Sequence, residues 1–311
     1  MFFHKKRNVN GFLLLDKTKG ISSNYALQQV KYLFNAKKAG YIGTLDPLAT
    51  GMLPICFGEC TKFSHYLTDS DKRYHVVAKL GEKTSTSDSD GIVIKKRPIV
   101  FTNYQLYSSI KELTGLIYQL PSMYSAIKYN GMSLYKYARQ GVEITRSLRK
   151  VSIYNINSIY QKNDLLEFKV FCSKGTYIRT LVEDLGEKLG CGAHVIFLRR
   201  LQVGSYISKK LVKISDLNLL LKQENIKNET FYNKIDNLLM SVDSPVSFLP
   251  KVCISLKKSY NFKLGQTIKL HANVQHSLVR VFEPNKKFIG LGKINLERFL
   301  IPHRLVATFF D

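Results

Sequence analysis

Residues 38–51 have the sequence Lys-Ala-Gly-Tyr-Ile-Gly-Thr-Leu-Asp-Pro-Leu-Ala-Thr-Gly, in which one carboxylate, Asp46, lies among glycines and a proline. Pro47 pushes Asp46 toward extended backbone angles, while Gly43 and Gly51 permit turns that other residues resist. We therefore predict that the carboxylate projects from a stiff loop, where it is the chain's best candidate for chemistry.

The same Asp-Pro pair is also typical of a helix start, with Asp46 as the N-cap and Pro47 at the first helical position. The two interpretations are compatible. Backbone N–H groups at a helix start keep a carboxylate ionised, and the ionised form is the nucleophile.

Charge and composition indicate a globular protein with a polyanionic partner. The chain has 311 residues, of which 45% are hydrophobic, so it can bury a large core and form one large domain plus a small one. Its net charge of +24 favours nucleic acid as the partner. The alternative is coding bias in an AT-rich genome, which would raise the lysine content without any RNA contact.

The sequence does not support a secreted protein or a membrane-spanning protein. The apolar run 12–15 is too short for a signal-peptide core, and no later apolar run approaches a membrane span. The cysteines are odd in number and lack the spacing of a zinc site, so we predict reduced thiols in a cytoplasmic protein. They are Cys56, Cys60, Cys172, Cys191 and Cys253.

Hydrophobic periodicity predicts a mixture of strands and helices. Tyr74, Val76, Ala78 and Leu80 alternate with His75, Val77 and Lys79, as a half-buried strand requires. The other predicted elements are strands at 11–16 and 165–172, a helix capped by Ser22 or Ser23, a helix containing Leu106, Ile110 and Leu113, and a helix from Thr176 to Leu189.

Tyrosines alternate with basic residues between Pro121 and Gly141, as they do on many nucleic-acid-binding surfaces. A helix that packs Leu134 and Tyr137 inward would give the same pattern. Both interpretations remain open from the sequence.

A change in pattern near Pro250 predicts two domains. Residues 210–249 look helical and polar, and Pro245 and Pro250 mark their end. Strand-like runs follow at 252–256, 267–270, 278–282 and 288–294, with Pro284-Asn285 as a turn. We therefore predict a catalytic domain over residues 1–250 and a small β domain over residues 251–311.

Four motifs occur in order along the chain: Gly-Thr-Leu-Asp-Pro-Leu-Ala-Thr-Gly (43–51), Asp-Lys-Arg-Tyr (71–74), Ser-Lys-Gly-Thr-Tyr-Ile-Arg-Thr (173–180) and Gly-Ala-His-Val-Ile-Phe-Leu-Arg-Arg-Leu (192–201). Together they resemble the bacterial TruB family, whose members are tRNA pseudouridine(55) synthases. The resemblance extends from about Gly11 to Pro250 and is weaker after that.

The resemblance implies a mixed α/β (α+β) fold, with a pseudouridine synthase-like catalytic domain, a central mostly antiparallel sheet flanked by helices, and a small C-terminal PUA-like β domain that binds RNA. It implies that Asp46 is the nucleophile, that Tyr74 packs on the target uracil and that Arg179 pairs with Asp46. It also places Tyr177 and Leu198 against the base. Each of these residues could instead have an ordinary structural role. The tyrosines would then be core aromatics, Leu198 a packing residue and Arg179 a charged residue on the surface of a helix.

The chain departs from the family pattern at Tyr41, where the family usually carries histidine. A phenol can stack and donate a hydrogen bond, but it does not become a cation near neutral pH. We expect Tyr41 to contact RNA without any step that needs an imidazolium, so activity survives with altered binding.

The implied reaction converts uridine 55 in the T-loop of tRNA to pseudouridine by breaking the N1–C1′ bond and joining C5 to C1′. We expect neither a cofactor nor a metal, because this isomerisation consumes no electron, phosphate or methyl donor. The single signature carboxylate would attack C1′ or C6 of a flipped-out nucleotide, in contrast to the two carboxylates of most glycoside hydrolases. We further expect a monomer.

Three rival interpretations come from other classes of protein. A non-catalytic RNA-binding or RNA-folding protein would use the same basic surface. A methyltransferase would need a glycine-rich strand-to-helix loop followed by an acidic residue, and a membrane-surface protein would need a strongly amphipathic basic helix. Neither of those last two features stands out.

Overall fold

The computed structural model describes residues 5–207, 211–224, 228–270 and 277–307. Parts of two predicted segments lie outside these ranges. They are residues 210 and 225–227 of the predicted helical stretch, and residues 271–276 and 308–311 of the predicted C-terminal domain.

Most strands in the first part of the chain belong to one large sheet. In chain order the strands are β1 (Gly11–Lys17), β2 (Ala39–Tyr41), β3 (Thr50–Phe57), β4 (Lys72–Leu80), β5 (Glu82–Thr84), β6 (Val93–Lys96), β7 (Gly115–Gln119), β8 (Lys128–Tyr129), β9 (Met132–Ser133), β10 (Arg149–Lys162), β11 (Leu165–Cys172), β12 (Ala193–Val203), β13 (Tyr206–Ile207) and β14 (Val212–Lys213).

Within the described ranges, ten of these strands form the large sheet, in the order β14-β1-β3-β12-β4-β11-β10-β7, with β2 on β3 and β13 on β12. The pairs β1/β14 and β3/β12 are parallel, and the other pairs are antiparallel. The two remaining pairs, β5/β6 and β8/β9, are separate hairpins. The predicted central, mostly antiparallel sheet is therefore confirmed.

Helices flank this sheet. They are α1 (Ser23–Leu33), α2 (Ser64–Thr68), α3 (Asn103–Glu112), α4 (Leu134–Arg139), α5 (Ile178–Lys188), α6 (Ile214–Glu224) and α7 (Glu229–Asp236). Short 3-10 helices cover Gly58–Phe63 and Ser244–Val246.

Helix starts follow the capping chemistry of the sequence. The Ser22 hydroxyl accepts a hydrogen bond from the Tyr25 N–H and caps α1, and Thr102 forms a capping box with Gln105 at α3. The helix predicted from Thr176 begins two residues later, at Ile178, because Tyr177 keeps extended backbone angles as the N-cap. In α4, Leu134 is buried and Tyr137 is half-buried, as the packed-helix interpretation of this segment requires.

The main core lies between the sheet and its helices. The buried faces of α1 and α5 pack against alternate residues of the central strands, among them Val76, Phe168 and Val170. Each such side chain contributes roughly 1.5–3 kcal/mol through removal from water. This packing gives the central strands a rigid base on which to hold the site.

A second, five-stranded sheet follows in the described C-terminal residues, in the order β15-β17-β18-β19-β16. Its elements are β15 (Lys251–Cys253), β16 (Ile268–Lys269), β17 (Leu278–Phe282), β18 (Phe288–Ile294), β19 (Phe299–Leu305) and helix α8 (Leu256–Lys263). The strand predicted over 252–256 was too long, since it ends at Cys253 and Leu256 begins α8, which Ser255 caps. Helix α8 and strand β19 were not predicted.

The two sheets are joined by a small apolar cluster and by an ion pair. Phe63 and Val246 pack with Leu291 of β18, and the Phe63 and Phe288 ring centroids are 5.4 Å apart. Arg280 of β17 donates to Asp243 at 2.7 Å. The C-terminal sheet is thus docked on the end of the large domain.

Candidate active site

Asp46 lies in the loop between β2 and β3, and no helix begins there. Its carbonyl accepts one hydrogen bond from the Ala49 N–H at 3.1 Å, which closes a turn, and β3 starts at Thr50. The interpretation of Asp46 as a helix N-cap was therefore wrong. Contacts from other elements, rather than a local helix, determine the course of this loop.

Two residues of the β1–α1 region anchor the loop. The Ser23 hydroxyl accepts from the Leu45 N–H at 2.8 Å and donates to the Leu45 carbonyl at 2.9 Å. The fully buried Lys17 ammonium donates to the carbonyls of Thr18, Ile21 and Pro47. Burial lowers the pKa of Lys17 to about 8, although the charge of the nearby Asp46 carboxylate partly opposes this decrease.

Arg200 of β12 holds the loop from the other side. Its guanidinium donates to the Gly43 carbonyl at 2.8 Å and to the Met52 carbonyl at 2.7 Å, on either side of Asp46 in the sequence. Gly51 has φ +94°, and a Cβ there would lie 2.4 Å from the Arg200 carbonyl oxygen. The glycine therefore permits the close parallel contact between β3 and β12 that brings Arg200 to the loop.

Asp46 and Arg179 form an ion pair and both line a cleft. The Arg179 Nε lies 3.0 Å from one carboxylate oxygen of Asp46, and Nη2 lies 3.3 Å from the other. Burial raises the pKa of the Asp46 carboxyl, and the guanidinium opposes that rise. The bidentate contact fixes the orientation of the carboxylate.

Arg179 is itself fixed by three further acceptors. Its guanidinium donates to Asp88 at 3.3 Å, to the Thr86 carbonyl at 3.1 Å and to the Tyr124 carbonyl at 2.8 Å. Its side chain is 5% exposed, so these contacts are well shielded from water. Arg179 lies in the first turn of α5 and is buried, which excludes the alternative of a surface charge.

Tyr74 extends from the central strand β4 and is paired in register with Arg200 of β12. Burial raises the pKa of its hydroxyl, while a hydrogen bond to Arg200 and the charge of that guanidinium lower it. The ring is half-buried and lines the cleft beside Asp46. Arg200 thus links the position of Tyr74 to that of the loop.

Two other predicted residues line the same cleft. Tyr177 precedes α5, and its backbone exchanges hydrogen bonds with the Gln119 side chain at 3.0 and 3.3 Å. Leu198 of β12 is buried at 5% exposure. The cleft has a volume of about 360 Å³ and is lined by Asp46, Tyr74, Tyr177, Arg179 and Leu198.

Tyr41 lies apart from this group. It ends β2, pairs with Ile55 of β3 and is half-buried against the main core. Among the described residues it does not line the cleft.

Sequence patterns alone did not identify three residues of the site, which are Lys17, Asp88 and Arg200. Asp88 belongs to the polar run Thr-Ser-Thr-Ser-Asp-Ser-Asp-Gly (84–91), which resembles an ordinary solvated loop. Arg200 lies within the quoted motif 192–201, but the sequence does not indicate that this arginine is buried, with only 1% of its surface exposed. Lys17 follows the predicted first strand, where a surface lysine is the usual expectation.

The chemistry available at the cleft is that of a fixed carboxylate surrounded by buried cations and aromatic rings. No group of three or more histidine, cysteine, aspartate or glutamate side chains suited to a metal ion occurs in the described part of the chain. None of the described helices is long and apolar enough to cross a bilayer. A carboxylate fixed in this way can act as a nucleophile.

Family models match nearly the whole chain. Residues 31–178 match the N-terminal domain of the TruB family of pseudouridylate synthases, and residues 179–247 match the C-terminal domain of tRNA pseudouridylate synthase B. Residues 250–306 match the C-terminal domain of pseudouridine synthase II TruB.

Similar curated proteins extend over the same length. The tRNA pseudouridine synthase B of Buchnera aphidicola subsp. Acyrthosiphon pisum (strain APS) is 69% identical over 308 residues, which cover 99% of each chain. The protein of that name from Shigella boydii serotype 4 (strain Sb227) is 51% identical over 304 residues, which cover 97% of each.

A solved structure has the same fold at low identity. The chain in a structure of an H/ACA RNP bound to a substrate RNA containing 2′-deoxyuridine superposes with a TM-score of 0.69 and 21% identity. The match covers 98% of this chain and 92% of that one.

Proposed function

Because the chain belongs to the TruB family of pseudouridylate synthases, we propose that it isomerises a uridine in the T-loop of tRNA, with Asp46 as the nucleophile. The chain is a tRNA pseudouridine synthase, as its full-length similarity to enzymes of that name shows. We propose further that this uridine is at position 55.

One observation carries the assignment of the nucleophile. The Asp46 carboxylate, which lines the cleft, is held by Arg179 in two contacts, at 3.0 and 3.3 Å. A carboxylate fixed in this way needs little reorganisation before it attacks. Lys17 and Arg200 support the loop that carries it without forming an ion pair with it.

The reaction balances without an added reagent. Attack by the carboxylate on C1′ breaks the N1–C1′ bond and releases uracil, whereas attack on C6 attaches the carboxylate to the base, after which the N1–C1′ bond breaks. In either case the base turns, the C5–C1′ bond forms, C5 loses its proton and N1 gains one. The carboxylate leaves unchanged, so the product is an isomer of the substrate.

The remaining residues of the cleft are suited to hold the base while it turns. The Tyr74 ring and the Leu198 side chain offer apolar faces for a pyrimidine that has left its stack, and Tyr177 borders the same space. Flipping costs a few kcal/mol, which aromatic stacking and backbone contacts can offset. Exclusion of water from the cleft would protect the detached base from loss.

The decisive experiment compares Asp46→Asn with the unchanged protein on unmodified tRNA, without cofactor, followed by mapping of pseudouridine. We expect single-turnover formation to fall by at least about 10⁴-fold. The Kd for tRNA should change little, because most affinity comes from basic residues. Undiminished conversion by Asp46→Asn would refute the proposal.

Asp216→Asn provides the matched control, since Asp216 is an exposed residue of α6 whose carboxylate accepts a hydrogen bond from the neighbouring Ser215 hydroxyl. It makes the same chemical change far from the cleft. Its activity should equal that of the unchanged protein.

We also propose that residues 1–250 form the catalytic domain and residues 251–311 form an RNA-binding domain, in a cytoplasmic monomer. The separate sheet and core of the C-terminal residues support this division. Size-exclusion chromatography with light scattering tests the monomer.

A further inference from the structure

The Ser125 hydroxyl is a buried polar group on the wall of the active-site cleft, and none of the steps described so far uses it. Ser125 is 4% exposed and lines the cleft together with Asp46 and Tyr177. Only two buried side-chain polar atoms of the described residues lack a hydrogen-bond partner, and Ser125 Oγ is one of them. A buried hydroxyl without a partner costs free energy, so its presence calls for a ligand.

The other such atom, Arg146 Nε, belongs to a guanidinium that is otherwise well bonded. Its Nη1 donates to the Pro121 carbonyl at 3.0 Å, and its Nη2 donates to Glu143 at 2.9 Å. Ser125 has one side-chain polar atom, and that atom is the unpartnered one. The two cases therefore differ, and Ser125 is the one that points to a missing contact.

The backbone around Ser125 is held from α4 and not by the serine hydroxyl. The Ser125 carbonyl accepts from the Tyr135 N–H at 3.1 Å, and the Ile127 carbonyl accepts from the Leu134 N–H at 2.8 Å. The position of Ser125 is thus fixed by main-chain contacts. Its side chain remains available for a bound molecule.

Ser125 borders the part of the cleft where the reaction takes place. The same Arg179 Nη2 atom donates to the Asp46 carboxylate at 3.3 Å and to the Tyr124 carbonyl at 2.8 Å. Ser125 follows Tyr124 directly in the chain. A ligand of the Ser125 hydroxyl is therefore a molecule that also reaches the neighbourhood of Asp46.

A second hydroxyl lies close to that of Ser125. Burial raises the pKa of Tyr177, and the nearby Ser125 hydroxyl opposes that rise. The two groups lie near each other without the geometry of a hydrogen bond. They leave room between a tyrosine and a serine hydroxyl for one polar group of the substrate.

The chemistry of a uridine nucleotide limits what that polar group can be. A phosphate is disfavoured beside the Asp46 carboxylate, since like charges repel. The uracil carbonyls move as the base turns, so a fixed hydrogen bond to either would have to break during the reaction. The ribose keeps its place because its phosphates stay joined to the RNA. Its 2′-hydroxyl, on the carbon next to C1′, both donates and accepts and distinguishes RNA from DNA.

We propose that the Ser125 hydroxyl forms a hydrogen bond with the ribose 2′-hydroxyl of the uridine that undergoes reaction. This proposal rests on the function proposed above, because it takes the occupant of the cleft to be that nucleotide. Ser125 then makes the cleft selective for a ribonucleotide and holds the sugar still while the base turns.

The test is a double-mutant cycle between Ser125→Ala and the RNA. Two T-stem and T-loop hairpins are compared, which differ only in having uridine or 2′-deoxyuridine at the target position. Binding is measured on the full chain carrying Asp46→Asn, so that the RNA is not converted. We expect Ser125→Ala to raise Kd for the uridine hairpin about fivefold to tenfold, as for one lost hydrogen bond. It should leave Kd for the 2′-deoxyuridine hairpin unchanged.

Activity and stability give two further readouts in the chain with Asp46 intact. Ser125→Ala should lower kcat/KM for the uridine hairpin by at least the factor seen in Kd, since kcat/KM includes the binding energy of the nucleotide. Its Tm should equal or exceed that of the unchanged protein, because removal of an unpaired buried hydroxyl leaves no polar group unsatisfied.

Ser133→Ala provides the matched control. Ser133 is half-buried in the same segment and precedes α4, but its side chain does not cap that helix. It lies outside the cleft. The substitution makes the same chemical change and should alter neither Kd nor kcat/KM.

Two outcomes would overturn the proposal. The first is a Kd for the uridine hairpin that Ser125→Ala changes no more than Ser133→Ala does. The second is an equal loss for the two hairpins, which with a lowered Tm would mean that the hydroxyl stabilises the protein and with an unchanged Tm would indicate a contact to the base. Failure of the unchanged protein to convert the uridine hairpin would instead contradict the proposed T-loop function.

Discussion

Asp46 should give the pH profile of the reaction an acidic limb at unusually high pH. Burial raises the pKa of this carboxyl, and Arg179 only partly opposes the rise. Attack requires the ionised form, so the rate falls as the pH drops through that raised pKa. As the pH is lowered, we expect the single-turnover rate at saturating tRNA to begin falling while the pH is still above the ordinary carboxyl pKa near 4. Binding measured at the same pH values serves as the control, and a rate that is flat down to pH 4 would contradict the expectation.

Arg200 should be needed for turnover although it does not touch the Asp46 carboxylate in the described contacts. It spans the carbonyls of Gly43 and Met52 and the hydroxyl of Tyr74, and a lysine cannot reach all of them from one position. We expect Arg200→Lys to lower kcat by about 100-fold, as a loop shift near 1 Å would, with little change in KM. Kinetics at saturating and limiting tRNA separate the two constants.

The neighbouring residue supplies the control for that prediction. Arg199 lies beside Arg200 on β12 but pairs with Asp16 at 2.8 and 2.9 Å, outside the cleft. Arg199→Lys should retain nearly full kcat. Equal losses in the two variants would mean that β12 merely tolerates lysine poorly.

At the scale of the element, the contact between β3 and β12 depends on Gly51. Alanine there would be strained at φ +94° and would put its Cβ 2.4 Å from a backbone oxygen. We expect Gly51→Ala to lower the free energy of unfolding by about 2–5 kcal/mol, measured by chemical denaturation. Gly190→Ala has a similar φ of +79° but nothing within 4 Å, so it should cost only about 1–2 kcal/mol. Equal costs would refute the role of the close approach.

Local sequence patterns predicted the elements whose form depends on their own residues. The alternation in β4 and the Ser22 cap of α1 appear as expected. The loop of Asp46 was predicted less well, because Arg200 and Ser23 determine its course from distant parts of the chain. Strand β19 was missed because Pro302, a residue rare inside strands, lies in its middle and because its buried positions do not alternate regularly.

At the scale of the molecule, the sequence predicted a change near Pro250 but not how the C-terminal sheet is docked. The contacts of Phe63 with Phe288 and of Asp243 with Arg280 join segments far apart in the chain. Contacts between such distant segments produce no periodic pattern in the sequence.

The net charge of +24 should make tRNA binding, but not the chemical step, strongly dependent on salt. Each phosphate contact releases counterions and adds about 0.7–0.9 to the slope of log Kd against log salt. The Asp46–Arg179 pair acts at short range within the cleft, where salt screens little. We therefore expect Kd to rise steeply between about 50 and 200 mM salt, while the single-turnover rate at saturating tRNA stays constant. A Kd insensitive to salt would show that the basic surface does not bind RNA and that the charge reflects coding bias alone.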